Sequence, residues 1–313
     1  MPESPPLIDT LRPFQIERSS LRGRAVRLGA AADRVLASHG YPEPVSALLG
    51  ELLVLAAGFA GALKFDGTFS LQLRGDGPVT LMVADVTNKG SMRGHASFDA
   101  AGVMALGGEE PAGLAALLGK GVMALTVDQS AAGGQVYQGI VELGGRSLQE
   151  AMLAYFQQSE QVPTGIRSTV RRDPASGRWL AGAVIVQAMP EEGAGGRSPA
   201  ASFGEREDDW RRTMLLLNTV SDEELVDPQL SLDNLLMRLF HEDGVRVFDR
   251  LDLTFACSCD LERVENMLRR FEREDIDGMR DDEGRVIVTC EFCSETYRID
   301  DNRLDEIMSG EAK

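Results

Sequence analysis

Cysteine is absent from the first 256 residues of this 313-residue chain, which also holds only three histidines and two tryptophans. His39, His95 and His241 are too few and too scattered to suggest a site built on imidazole, and each reads as a structural or surface residue. Basic side chains are also scarce, with 32 Lys and Arg against 49 Asp and Glu and a formal net charge of −17. A protein that grips nucleic acid through its phosphates needs at least one basic patch, so nucleic-acid binding is not expected. Long apolar runs are missing too. The uncharged stretch Leu52–Leu63 has 12 residues, against about 20 for a membrane span, so no membrane association is expected. The N-terminus pairs prolines with acidic residues and has no positively charged start, unlike a secretory signal. The expectation is a cytoplasmic protein in a reducing compartment, where stable disulfides are rare.

What is present is ordinary for a globular protein: 43% hydrophobic and 26% charged residues, in a length that suggests roughly two domains. Charge is unevenly placed, residues 1–190 summing to −1 and residues 191–313 to −16. The boundary coincides with a small, polar, Gly- and Pro-containing stretch, EEGAGGRSPAASFGE, which reads as a linker. The expected organisation is an α+β core domain over 1–190, a flexible and then helical acidic linker over 191–250, and a small C-terminal domain over 251–313 that holds all four cysteines.

Within the first part, Val45–Leu63 reads as a buried helix. Thr68–Arg74 and Val79–Val86 flank the turn Gly75-Asp76-Gly77-Pro78 and predict a hairpin. Met92–Phe98, Val122–Val127, Val136–Leu143, Gly165–Arg171 and Trp179–Met189 are further strand candidates, and Ser147–Gln158 has helical spacing. Ser221 followed by Glu224 is a capping-box pattern. Leu232, Leu235, Leu236, Leu239 and Phe240 form an apolar helical stripe, either packed on the core or covered only conditionally. Near the C-terminus Asp260 caps a helix with Leu261, Val264, Met267, Leu268 and Phe271 on one face, and Val286–Thr289 and Thr296–Ile299 are short strand candidates. A piece of this size is too small to rely on its own core and needs a staple.

The four cysteines supply one. Cys257 and Cys259, then thirty residues, then Cys290 and Cys293 all lie within a 37-residue window. Four thiolates suit one tetrahedral zinc ion, at about 2.3 Å each. On an extended chain Cys257 and Cys259 point to the same side, and Cys290-Glu291-Phe292-Cys293 can turn so that both sulfurs converge. The site could be an inert structural one. Two considerations favour a reactive one: zinc holds thiols in the nucleophilic thiolate form that oxidants attack, and structural zinc contributes about 10–16 kcal/mol to the folding of a small domain, against about 5–15 kcal/mol of net stability for a whole domain.

Several segments, in order, resemble the heat shock protein 33 family of redox-regulated chaperones: Tyr41-Pro42-Glu43-Pro44-Val45, Leu63-Lys64-Phe65-Asp66-Gly67, Gln72-Leu73-Arg74-Gly75-Asp76-Gly77-Pro78, Met92-Arg93-Gly94, Tyr137-Gln138-Gly139, the run from Tyr155-Phe156 to Pro163-Thr164, Arg238-Leu239-Phe240-His241-Glu242, and the cysteine pattern itself. The resemblance implies an ATP-independent holdase that binds unfolded or partly folded client proteins. It implies that Cys257, Cys259, Cys290 and Cys293 hold zinc when reduced, and under oxidants form the redox-active disulfides Cys257–Cys259 and Cys290–Cys293. Zinc release would unfold the C-terminal domain, loosen the linker and expose apolar surface, with a homodimer as the oxidised form. The first bridge would be strained, since residues two apart on a strand sit at about 6.6 Å, and a strained bridge is readily reduced. One departure is Ser294, where a glycine often eases the turn after the second cysteine.

Two other readings compete. An acidic adaptor with a permanently folded zinc domain would be insensitive to oxidation. An enzyme has less support: Cys290-x-x-Cys293 lacks a thioredoxin-like strand–helix context, and four sulfurs leave no open position for a hydrolytic zinc. No enzymatic activity is therefore expected. Gly119-Lys120 lacks the Ser or Thr of a phosphate-binding loop, and Arg171-Arg172 reads as a solvated strand end.

Overall fold

The computed structural model describes residues 9–19, 21–107, 113–145, 147–188 and 203–309. Most of the expected flexible linker, from 191 to 202, lies outside them, as does Met189 at the end of an expected strand. The chain divides into two compact units that meet between Phe255 and Ala256.

The first unit runs in the order β1 (Thr10–Ile16), β2 (Leu21–Leu28), α1 (Ala30–Leu36), α2 (Glu43–Ala60), β3 (Thr68–Gly75), β4 (Val79–Thr87), β5 (Ser91–Phe98), α3 (Ala100–Ala105), α4 (Leu114–Leu118), β6 (Gly121–Asp128), β7 (Val136–Glu142), α5 (Leu148–Tyr155), β8 (Thr164–Arg172), β9 (Trp179–Ala188), α6 (Phe203–Leu217), α7 (Asp222–Val226), α8 (Leu232–Phe240), β10 (Val245–Val247), β11 (Leu251–Asp252) and β12 (Thr254–Phe255). Its fold is α+β, as expected. One sheet has the order β10-β1-β2-β9-β8, with β11 also on β1, and the other the order β12-β5-β4-β3-β6-β7. All pairings in both are antiparallel except β12 on β5.

Helix α2 sits in the main core with residues of both sheets. It has the length and hydropathy of a membrane span, yet 78% of that window is buried inside the protein, so its apolar character is satisfied by packing. Close approach is built in: a Cβ on Gly58 would lie 2.5 Å from Ile185 Cδ1. The helix stops at Ala60, three residues short of the expected Leu63. Gly61 caps it where a Cβ would meet Leu11 Cδ1 at 2.5 Å.

The predicted hairpin is β3–β4, paired from Thr68↔Thr87 to Arg74↔Leu81. Its turn is held from outside, Asp76 Oδ1 accepting from the Lys120 N–H at 2.7 Å. The Gly119-Lys120 pair is thus a backbone brace leading into β6.

Helices α6 to α8 cover the outer face of the first sheet, where Leu217, Leu225, Leu235, Leu236 and Phe240 pack against Phe14, Ile16, Val184 and Val186. Phe14 and Phe240 stack at 5.8 Å. The capping box is formed, Glu224 N–H donating to Ser221 Oγ at 3.2 Å and Ser221 N–H to Glu224 Oε2 at 3.1 Å. The leucine stripe of α8 is therefore packed on the core in this structure.

The second unit contains α9 (Leu261–Leu268), α10 (Arg273–Asp277), the hairpin β13 (Val286–Thr289) and β14 (Thr296–Ile299), and α11 (Asp301–Ser309). Asp260 caps α9 as expected, accepting from the Arg263 N–H at 2.7 Å. Among the described residues its fully buried apolar core is Val264, Leu268, Ile276, Val286, Ile299, Leu304 and Ile307, a small cluster for an independent domain.

Candidate metal centre

The β13–β14 hairpin aligns Thr289 with Thr296 and so makes residues 290–295 its tip. There the Cys290 N–H donates to the Glu295 carbonyl at 2.9 Å, and the Ser294 N–H to the Cys290 carbonyl at 2.9 Å. These two bonds curl the chain so that Cys290 and Cys293 face one point. Ser294 completes the curl at φ 62°, the left-handed region expected from the missing glycine. Cys257 and Cys259 lie in the stretch without regular secondary structure just before the Asp260 cap of α9.

All four Sγ atoms lie within 4.8 Å of one another. Cys257 Sγ is 3.6 Å from Cys290 Sγ, and Cys259 Sγ is 3.3 Å from Cys293 Sγ. Four sulfurs at 2.3 Å from a central zinc ion would be separated by about 3.8 Å along the edges of a tetrahedron. The donor set and its spacing therefore fit a tetrahedral thiolate metal site. All four residues are half-buried and free of disulfides. Among the described residues they are the one group of His, Cys, Asp or Glu side chains arranged to hold a metal ion. The three histidines are not part of it: His39 and His95 face each other at 5.4 Å in the first unit, and His241 begins the turn after α8.

Electrostatics supports the same use. Burial, chiefly, raises the Cys293 thiol well above its ordinary range; hydrogen bonds with the other three thiols add to this, and the Glu295 N–H opposes it. A divalent ion makes the thiolate the favoured form of a coordinating sulfur.

Tyr297, on β14, was not evident from the sequence. Its hydroxyl hydrogen-bonds with Cys259, which together with burial raises its pKa. The sequence signal was an aromatic residue four positions after Cys293 on a short strand, too common a pattern to single out.

Comparison with known proteins gives a consistent result. The family model described as Hsp33 protein matches residues 9–300. The 33 kDa chaperonin of Caulobacter vibrioides is 40% identical over 302 residues, covering 96% of this chain and 97% of that protein. The 33 kDa chaperonin of Azotobacter vinelandii is 37% identical over 305 residues, covering 96% and 95%. The crystal structure of the 33 kDa chaperonin (heat shock protein 33 homolog) of Thermotoga maritima superposes with a TM-score of 0.77 at 20% identity, covering 97% of this chain and 99% of that one, a likeness of fold.

Proposed function

The chain belongs to the Hsp33 family, a family of chaperones and not of enzymes, and on that premise we propose that it is a redox-regulated, ATP-independent holdase whose four cysteines form the switch. The observation that carries the proposal is the convergence of Cys257, Cys259, Cys290 and Cys293 within 4.8 Å, in a unit with a small apolar core of its own. These residues would hold one Zn2+ in the reduced protein. Bound there, zinc would keep the sulfurs as thiolates and contribute about 10–16 kcal/mol to folding.

Each pair of thiolates would give up two electrons in becoming a disulfide, the zinc ion leaving to solvent, which also supplies the two protons that the reduced oxidant takes up. Hypochlorite or hydrogen peroxide accepts the electrons and is reduced to chloride and water, or to water. The proposed bridges are Cys257–Cys259 and Cys290–Cys293. In the reduced geometry the short contacts run across these pairs, Cys257 to Cys290 and Cys259 to Cys293, so oxidation to neighbouring bridges pulls the two halves of the site apart. A unit with so small a core then unfolds.

The functional division we propose follows the sequence: a core domain over 1–190, a releasable linker over 191–250 and a switch domain over 251–313. The apolar stripe of α8 would be uncovered when the linker loosens. Unfolded or partly folded proteins would bind the exposed surface, in the cytoplasm, with the oxidised chaperone acting as a homodimer.

The test is to oxidise the zinc-loaded chain with hypochlorite, or with peroxide under mild heat, while following zinc release and light scattering from a denaturing client. The expected result is zinc release accompanied by suppressed client aggregation. Zinc release with no effect on aggregation would overturn the chaperone switch and favour an acidic adaptor carrying a zinc domain.

A further inference from the structure

Two of the sequence motifs, Tyr137-Gln138-Gly139 and the run from Tyr155 to Thr164, take no part in the cysteine switch. In the structure they build one wall of a cavity of about 390 Å³ that lies wholly in the first unit. Its apolar lining includes Phe59, Phe69, Leu125 and Phe156, and its charged lining is Arg22, Arg24 and Glu160.

The wall has an unusual backbone. Residues Phe156–Glu160 form one π-helical turn after α5, closed by Gln161 at φ 54°, and such turns occur often at functional sites. The turn stacks Phe156 on Phe59 at 4.5 Å. It also brings the Glu160 carboxylate to the hydroxyls of Tyr155, at 2.8 Å, and Tyr137, at 3.3 Å. Gly139 gives Tyr155 its place, since a Cβ there would lie 2.5 Å from the tyrosine hydroxyl. Glu160 is thereby engaged by two hydroxyl donors.

The arginines are not balanced in this way. Arg24 donates to Gln187 Oε1 at 2.9 Å, and among the described residues neither Arg24 nor Arg22 pairs with a carboxylate. An apolar cavity with two adjacent guanidinium groups lacking an anion is complementary to a ligand with an apolar body and one negative end.

We propose that this cavity binds a medium-chain carboxylate, an unbranched apolar chain of about eight to twelve carbons whose anionic end lies between Arg22 and Arg24. Burial, and then repulsion from Arg22, lowers the Arg24 pKa to about 10, and an anion at this position would offset that repulsion. None of the four cysteines is involved, and failure of this proposal leaves the redox switch untouched.

Calorimetric titration of the full chain under reducing conditions tests it, using decanoate below its micelle concentration and decanol as the uncharged match. The expected result is one decanoate per chain, bound at least tenfold more tightly than decanol. Arg22→Glu changes an exposed side chain, so folding is preserved. It should weaken decanoate at least tenfold and leave decanol unaltered. Equal affinity for the two ligands, uptake of several decanoates per chain, no binding, or an Arg22→Glu protein that binds decanoate normally would each overturn the assignment.

Discussion

The Arg27 guanidinium donates to the Leu230 carbonyl at 2.6 Å, which ties a strand of the core sheet to the loop between helices α7 and α8. The same side chain also reaches the Leu225 carbonyl at 2.8 Å and the Glu224 carbonyl at 2.9 Å. These are carbonyls at the C-terminal end of α7, which have no partners within the helix. Arg27 is only 2% exposed, and burial lowers its pKa to about 10. The covering helices are thus held by a buried polar clamp as well as by the apolar contacts of Phe14 and Phe240.

Replacing Arg27 with Met removes the clamp and leaves three carbonyls without a donor, at a cost of about 3 kcal/mol to helix docking. Hydrogen exchange over residues 222–240 should accelerate in the reduced protein, and an apolar dye should bind without oxidation. Unchanged exchange would show that apolar packing alone holds these helices.

Ion pairs at the edge of the same interface should matter much less. Arg167 reaches Asp222 and Arg171 reaches Glu223, both at 2.6 Å, but the two carboxylates are exposed to water, where such pairs contribute little and are screened by salt. Arg171→Gln should change dye binding by less than about twofold. Raising the salt concentration should have a comparably small effect on the wild-type chain.

Glu51, on α2, accepts from the Ser168 hydroxyl at 2.7 Å and the Gln149 amide at 3.1 Å. Burial raises its pKa from the ordinary 4.5, with those two hydrogen bonds opposing the shift. The folded state therefore binds this proton more tightly than the unfolded chain does. Its contribution to stability declines as pH rises from 4.5 through the raised value, and is flat beyond it. Glu51→Gln keeps an acceptor for Ser168 and removes the ionisable group whose burial is penalised, so the melting temperature at pH 7 should rise by a few degrees. Thermal melts of both proteins at pH 4.5 and pH 7 check this, and the difference between them should shrink at the lower pH.

Ser294 adopts φ 62° at the hairpin tip, where a side chain costs about 1–2 kcal/mol and glycine gives back part of that through its looser unfolded chain. Ser294→Gly should stabilise the folded tip by up to about 1 kcal/mol, read as a severalfold gain in zinc affinity against a competing chelator. Weaker zinc binding by the variant would show that the serine side chain supports the tip in a way that outweighs its backbone strain.

The parts most legible in the sequence were those fixed by local chemistry. The Gly75-Asp76-Gly77-Pro78 turn marked its hairpin, Ser221 and Glu224 marked a helix start, and the spacing of four cysteines marked their convergence. Strands β1 and β2 were harder to read because Arg12 and Arg27 stand where the alternation calls for an apolar residue. Their roles depend on distant partners, such as Asp233 for Arg12 at 2.7 Å and the α7 carbonyls for Arg27. β10, β11 and β12 are two or three residues long and exist through pairing with β1 and β5, which no short window can show. The expected helix Ser147–Gln158 gave way at Phe156 to a π turn, set by the stacking of Phe156 on Phe59 and by two tyrosine hydroxyls on Glu160.

The most direct test of the switch is to measure bound zinc, free thiols and hydrogen exchange over residues 256–309 in the full chain, before and after hypochlorite. The account requires one zinc and four thiols in a protected tail at the start, then loss of the metal, the thiols and the protection together. A reduced chain that is free of metal yet fully protected over that tail would contradict it.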